Sequence, residues 1–527
     1  MKPTASPLVG QFRRPLVALG LFLFIVVAAY QASRFILSGD TSGLILSALF
    51  FIFVVVVVGM LNDWRNGLYF FLVWLLFEDF ARKYLGNNMG IYFGKDLLVA
   101  VVYLSFIVAY RRKGLPTFRP PFLIPLLLFL WFGIMQVFNP ASTSLVYGVL
   151  GMKLYFYYMP LIFVGYALFE TEMDLRKFFN LTLVLGVVII SLGIVQSILG
   201  HTFLNPAKPA DDIRELSQLY RIAPISGLIA YRPNSVFVSA GRFTNFLTLS
   251  WLLAFGFSGY LLLRHRGGRK LAFVSLSVAF AGVALCGSRG VLIWVTLSAV
   301  VGAIAFLWGS PWRNQAITRI LRTLQRAALG VCLALVVLMF TYPEALLSRV
   351  AIYTETLSPT SSASELAYRT RDYPLENLLK AFQYDRWPYG FGIGTCSLGV
   401  QYVSRIMQVP PMGVGVENGY GGLVVEMGIV GLALWLIMSF AVVFTAWKEV
   451  HKLKGTPWFP LGFMIFWYAF LLLFPMMYAS LAAYQDFILN AYLWLLLGIL
   501  FRLPTIAFSA QLDAALSPDN PQRRWIR

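Results

Sequence analysis

The sequence predicts an all-α protein: a polytopic membrane bundle of about fourteen transmembrane helices (twelve to fourteen), with amphipathic helices in a large outer loop. Three observations predict it. The composition is 59% hydrophobic and 12% charged, with a mean hydropathy of +0.73 over 527 residues, where a soluble domain has roughly 45–50% apolar and about a quarter charged residues. Apolar runs long enough to cross a bilayer recur along the whole chain. The basic residues divide unevenly between the connections on the two sides of those runs. A soluble enzyme, a secreted disulfide scaffold and a disordered chain are all excluded.

In chain order the expected spans lie near 16–35, 43–61, 66–78, 96–110, 121–138, 148–169, 178–199, 243–263, 271–286, 291–308, 327–342, 420–446, 457–478 and 487–501, the third being short. With the N-terminus in the cytoplasm, inner segments hold 25 of the 42 Lys and Arg and 7 of the 23 Asp and Glu, a net of +18. Outer segments hold 17 basic and 16 acidic residues, a net of +1. This is the positive-inside signal. It accounts for the overall charge of +19 without a nucleic-acid partner and puts both termini in the cytoplasm. The expected organisation is 1–199, N-terminal helices; 200–242, an outer loop; 243–342, central helices with a Ser-Arg-Gly turn; 343–419, a large outer loop; 420–501, C-terminal helices; and 502–527, a cytoplasmic tail. Cys286, Cys332 and Cys396 form no evident disulfide or metal framework, and three His leave no histidine metal site.

Two outer segments exceed turn length, and long connections tend to be functional. In the second, Leu346, Leu347, Val350 and Leu357 recur at helical spacing after Pro343, and Leu375, Leu378, Leu379 and Phe382 do so after Pro374. Both read as amphipathic helices, at the membrane interface or packed on the bundle. The run Tyr389-Gly-Phe-Gly-Ile-Gly-Thr395 has no strand–helix setting for a nucleotide site and reads as a turn or as backbone approaching a polar ligand. No Gly-Lys-Ser/Thr loop and no Asp-x-Asp pair occurs, so ATP and nucleotide-sugar chemistry are not expected. The outer cations are mostly Arg, the residue that forks around phosphate and stays charged. Arg289 sits in the short connection Gly287-Ser288-Arg289, and Lys153 in the outer half of its span, where a charge is costly unless paired or lining a wet cavity. Glu417 and Asn418 open a span, so Glu417 is either a cap or a chemical group. Glu426 lies within that span, a packing or functional carboxylate.

These residues resemble the O-antigen ligase and polymerase family of bacterial polysaccharide assembly, weakly over about 140–445 and most at three places. Arg232 to Asn245 is similar to the family's Arg-containing approach to a span. Gly287-Ser288-Arg289-Gly290 is similar to its Ser-Arg-Gly turn. Arg369 through Gly394, then Glu417-Asn418-Gly419-Tyr420 and Glu426-x-Gly428-x-x-Gly431, resemble its late loop. Glu417 stands where ligases commonly carry a His, which points to a polymerase-like or divergent exopolysaccharide subgroup. The resemblance implies a bacterial inner-membrane enzyme that moves a glycan from a polyprenyl diphosphate carrier to an acceptor hydroxyl of a glycan or lipid, with no metal and no cofactor. It implies Arg232, Arg289 and Arg369 at the diphosphate, with Arg371 as the alternative to Arg369, and Glu417 as the base. Asn418, Tyr420, Lys153 and Arg242 would support them. Expected partners are the carrier-linked oligosaccharide, the acceptor, membrane lipids and other polysaccharide-assembly proteins. The competing class is a transporter or flippase of a lipid-linked glycan, whose sign would be broken spans in matching halves.

Overall fold

The computed structural model describes residues 41–85, 89–206, 219–264, 267–311, 336–362, 365–409 and 413–516, with scattered positions within 30–38 and 322–333. They divide into two compact units, 1–71 with 96–113, and 72–95 with 114–527. Most of the expected first span, 16–35, and residues 327, 328, 331, 334 and 335 of the expected span 327–342 lie outside the described residues.

In the first unit, α1 (Thr41–Asn62) is a near-continuous apolar run, as a helix without a water-facing side must be. Asp63 ends it and starts α2 (Trp64–Leu85) by accepting from the Arg65 N–H (3.0 Å) and the Asn66 amide (2.9 Å). Trp64 meets Phe106 of α3 (Met89–Lys113) edge to face at 5.2 Å, and the Ser105 hydroxyl donates to the Leu61 carbonyl.

The second unit carries the remaining elements. They begin with α4 (Leu123–Val137), α5 (Leu145–Phe156), α6 (Leu161–Leu168) and α7 (Glu172–Leu199). A hairpin of β1 (Tyr220–Ile222) and β2 (Ile229–Tyr231) follows, then α8 (Ala240–Arg264), α9 (Arg269–Leu285) and α10 (Arg289–Gly309). After α11 (Pro343–Leu357), a π turn at Tyr368–Asp372 leads into α12 (Tyr373–Ala381). The chain ends with α13 (Val400–Met407), α14 (Gly419–Lys452), α15 (Phe459–Leu473), α16 (Pro475–Ala479), α17 (Leu481–Gln485) and α18 (Phe487–Leu516). Among the described residues the hairpin is the only sheet, and most of the rest is helical.

The protein is a polytopic membrane protein by length and composition of its helices. Eight segments among the described residues suffice to cross a bilayer: Gly90–Arg112, Leu145–Leu168, Glu172–Leu199, Ala240–Arg264, Arg289–Gly309, Gly419–Lys452, Phe459–Ala479 and Phe487–Ser509. Each coincides with an expected span. Two other expected spans form helices shorter than these eight, α4 with 15 residues and α9 with 17. The expected span 66–78 belongs to α2, whose last two turns carry Glu78, Asp79, Arg82 and Lys83, all buried.

Helix ends follow ordinary capping. Thr171 and Asp174 form a capping box at the start of α7, each accepting the other's backbone N–H. Arg264 in the last turn of α8 reaches Glu172 in the first turn of α7 (2.9 Å), so each charge also complements its helix dipole. α6 crosses α18 where Gly165 faces Gly498; a Cβ on either would strike the other helix's backbone.

The two helices expected in 343–419 form at α11 and α12, with much of the apolar stripe outward. α11 buries Ser348, Arg349, Ile352 and Thr356, and leaves Leu347 and Val350 exposed. α12 buries Pro374 and Ala381 and exposes Leu375 and Leu379. Spacing located these helices; polar pairing, not the apolar stripe, chose the face that docks.

Candidate functional site

Between Glu215 and Glu344 the sequence contains no acidic residue and twelve Lys and Arg. Any ion pair made by this stretch must borrow its carboxylate from elsewhere, and the lenders divide its arginines into distinct groups.

The group around Arg289 is built on the hairpin and α11. Tyr220 to Ile222 pair antiparallel with Tyr231 to Ile229, opposing Arg221 to Ala230. Ala223 and Ala230 pack on Ile352 of α11. The Glu355 carboxylate of α11 accepts from the Ile225 and Ser226 N–H groups at the hairpin turn (2.7 and 3.2 Å). Arg349, fully buried, donates to the carbonyls of Leu285 (2.9 Å), Ser197 (3.1 Å) and Tyr231 (2.8 Å). It thereby ties the ends of α9, α7 and β2 to one guanidinium. Arg232 follows β2 directly. Arg289 starts α10 after Gly287, whose φ of +63° lets the turn close between the Arg232 and Arg349 side chains; a Cβ there would lie 3.7 and 3.8 Å from their Cγ atoms.

Positive charge exceeds negative charge here. Arg289 Nη1 donates to Glu365 Oε2 at 2.6 Å, and Arg369 Nε approaches the same oxygen at 3.4 Å. Burial would raise the Glu365 pKa, but the hydrogen bond and charge of Arg289 prevail and hold it below the usual carboxylate range. Among the described residues, Arg221 and Arg232 make no ion pair, although Glu365 attracts Arg221 from a distance, and the buried Arg232 Nε has no hydrogen-bond acceptor. Burial, then the charges of Arg289 and Arg232, push Arg221 down to about 10. Burial, with Arg289 adding to it, pushes Arg232 down too. Mutual repulsion among desolvated guanidiniums is the signature of a site that an anion would complete.

A chain of contacts leads from these arginines to Glu417. Arg369 lies over the Tyr373 ring (4.8 Å to its centre), and the Tyr373 hydroxyl pairs with Glu417, which together with partial burial raises the phenol's pKa. Glu417 is exposed, its backbone N–H held by Asn377 Oδ1 at 3.2 Å. Arg371 points away, 85% exposed, 3.8 Å from Asp372. Of the pair, Arg369 is the one joined to Arg289.

The four expected supporting residues sit in other settings. Asn418 caps α14: its Oδ1 accepts from Gly421 N–H (2.9 Å), and its Nδ2 donates to the Pro374 and Tyr478 carbonyls (3.0 and 2.7 Å). The Tyr420 hydroxyl donates to the Leu473 and Phe474 carbonyls (3.3 and 3.4 Å), beside Pro475, where α15 gives way to α16. The Lys153 ammonium lies over the Tyr92 and Phe93 rings (4.5 and 4.7 Å). Arg242 pairs with Asp79 and with Asp486 (3.3 Å) and covers Phe487. Around Asp79 the same cluster holds Arg82 (3.1 Å), and Glu78 holds Lys95 (3.0 Å). Lys83 donates to the Ser235 and Leu204 carbonyls.

The glycine-rich run is structural. α14 breaks at Gly428 (φ +70°), and the freed Val425 and Glu426 carbonyls accept from Phe391 and Gly392 N–H (2.8 and 2.9 Å). A Cβ on Gly394 would strike the Tyr147 carbonyl, and one on Gly428 the Pro388 carbonyl. The backbone does approach a polar group here, but the group is its own chain. Glu426, fully buried, accepts from the Cys396 N–H (2.9 Å) and the Ser397 hydroxyl (2.7 Å), while Gln485 holds Ser397 and Leu398. Its role is to fasten this run into the break.

Three residues essential to the arrangement, Arg221, Arg349 and Glu365, carry no motif. The signal that points to them is the acid-free stretch itself, which makes any carboxylate reaching it conspicuous. Searches against family models, curated proteins and solved structures found nothing that matches this chain.

Proposed function

We propose that the chain is a membrane glycosyltransferase that moves a glycan from a polyprenyl diphosphate carrier to an acceptor hydroxyl, of the polysaccharide polymerase or O-antigen-ligase type. The active face would lie outside a bacterial inner membrane, on a protein of twelve to fourteen spans with cytoplasmic termini. The observation that carries the reading is the cationic surplus of Arg221, Arg232 and Arg289 against the single carboxylate of Glu365. A diphosphate with its doubled charge fits that surplus better than a carboxylate or a neutral sugar.

In this mechanism the acceptor oxygen bonds to the anomeric carbon as the bond from that carbon to the diphosphate oxygen breaks. The hydroxyl proton passes to Glu417, and the carrier diphosphate leaves with its charge held by the arginines. Arg369, lying between Glu365 and Tyr373, would bridge donor and acceptor subsites. The leaving group already carries its activation, so neither ATP nor a metal is demanded. Reconstitution with a lipid-diphosphate-linked oligosaccharide tests this through carrier release and glycan length. Longer glycans mean a polymerase, and glycan on another molecule means a ligase. Substrate that crosses the bilayer with no bond changed would refute both.

A transporter is the second reading, favoured by spans broken at Pro160, Gly428 and Pro475. Against it, the break at Gly428 is filled by the chain's own Phe391 and Gly392.

A further inference from the structure

We propose that the β1–β2 hairpin is a membrane-interface element. Its apolar face, Tyr220, Ile222 and Ile229 with Ile225 at the turn, rests in the headgroup–acyl boundary of the phospholipid leaflet at the adjoining ends of the spans. The hairpin is amphipathic by register. Tyr220 opposes Tyr231 and Ile222 opposes Ile229, which puts these four on one face and Arg221, Ala223 and Ala230 on the other. The second face docks, since Ala223 and Ala230 pack on Ile352 of α11. The first docks at its base, where Tyr231 is buried beside His201. Beyond that base Tyr220, Ile222, Ile225 and Ile229 are between 55% and 65% exposed, and Arg221 is the one charged residue from 220 to 231. Apolar surface of that kind marks contact with a membrane or a protein. Its position decides for the membrane.

Three contacts fix that position. Gln196, in the last turn of α7, accepts from the Asn234 and Ser235 N–H groups just after β2 (2.9 and 2.7 Å). Arg349 joins the Tyr231 carbonyl to those of Ser197 and Leu285, at the ends of α7 and α9. His201, two residues past α7, stacks on Tyr220 with ring centres 6.5 Å apart. The hairpin therefore starts where the spans end, at headgroup depth. On α7 the exposed Val184, Val188, Val195 and Leu199 fall on one face, the lipid-facing stripe of a spanning helix. Leu199 ends that stripe, and His201 and Tyr220 lead from it to the hairpin; aromatic rings at this height are the usual interface anchors. Depth is limited from the other side. A two-stranded sheet has outer edges that no third strand serves, and Glu355 brings a carboxylate to the turn, so the hairpin lies at the interface and stays out of the hydrocarbon. Arg221, on the docked face, then stands at the level of lipid phosphates.

The test places a bimane label at I225C of the full chain in phosphatidylcholine nanodiscs, with the labelled parent chain as background. Quenching is read with lipids doxylated at an upper acyl carbon and with aqueous iodide. The doxyl lipid should lower the emission at least about twofold, and iodide should act on the label less than about a third as well as on free dye. Adding I222N/I229N, at two exposed positions that folding tolerates, should lift the label out, with doxyl quenching falling by about half and iodide quenching rising. Full iodide quenching without doxyl quenching in the I225C chain would place the hairpin in water and overturn the proposal. Protection from both quenchers would overturn it too, by showing that a second copy or a partner protein covers the face. So would doxyl quenching that I222N/I229N leaves unchanged. No substrate enters the measurement, so its result is separate from that of the transfer assay.

Discussion

Arg232 and Arg242 lie ten residues apart on one acid-free stretch and meet opposite electrostatic surroundings. Arg242 is clamped between Asp79 and Asp486, carboxylates contributed from far along the chain in each direction. Arg232 is nearly as enclosed but has Arg289 and Arg221 for company, with Glu365 spent on Arg289. The first arrangement is complete in itself; the second, among the described residues, carries more positive charge than negative. Resemblance marked both arginines as site residues. What separates structural from available charge is the supply of acid in space.

The sharpest way to break this comparison is to remove one arginine from each side. Arg242→Ala leaves Asp79 and Asp486 buried without their cation, and stripping one partner from a buried pair typically costs about 3–5 kcal/mol. Thermal unfolding in detergent, or the yield of monodisperse protein, should fall steeply. A mild effect would mean that Arg82 alone satisfies Asp79 and that the cluster is not a clasp.

Arg232→Ala should do the reverse. Among the described residues its guanidinium has no acidic partner to strand, so stability should hold or rise as repulsion with Arg289 and Arg221 is relieved. Glycan transfer should fall roughly a hundredfold to a thousandfold, the usual loss when one charge-assisted contact to the transition state is removed, about 2.7–4 kcal/mol. Arg289→Lys keeps the charge and loses the fork, and should also impair transfer at matched expression. Near-native transfer in both variants would return the cluster to a structural role.

How far the sequence disclosed all this differs by region. Helix type and most span positions were legible, because an apolar helix in lipid has to be continuous and nothing else in the chain mimics it. α2 was cut short at 78, because hydropathy registers Glu78, Asp79, Arg82 and Lys83 as an end, although Lys95 pairs with Glu78 and Arg242 with Asp79, which allows the helix to continue. Both loop helices were located by spacing, which does not tell whether an apolar stripe turns toward lipid or toward a core. At the candidate site, Arg289, Arg232 and Glu417 could be named from motif-like surroundings. Arg221, Arg349 and Glu365 could not, because their meaning rests on tertiary neighbours alone.

A smaller effect tests the link between the two ends of the site. Tyr373 donates to Glu417 and carries Arg369 on its ring. Tyr373→Phe keeps the ring and loses one partly exposed hydrogen bond, about 0.5–1.5 kcal/mol, so kcat should fall by about twofold to tenfold with KM little changed. A rise in KM with kcat intact would place Tyr373 in donor binding and detach Glu417 from the arginines.

The smallest effect concerns Glu365, the one carboxylate among the described residues on the unmatched side. It accepts from Arg289 and Arg369 with its side chain 38% exposed, so an entering diphosphate competes with it for the same donors. Glu365→Gln keeps an acceptor there and deletes the competing charge. An exposed pair of this kind is worth about 0.2–1 kcal/mol, so pyrophosphate should bind up to about fivefold more tightly to the variant, with the gain shrinking at high salt. The sign with pH follows from the depressed pKa: the native contact is fully present above the ordinary value of 4.5 and lost only as pH falls through a lower one. The gain should therefore be equal at pH 6 and pH 8 when read by titration calorimetry. A gain that changed between those values would assign the competition to another titrating group. Weaker pyrophosphate binding in the variant would mean that Glu365 orients Arg289 for the ligand instead of holding its place.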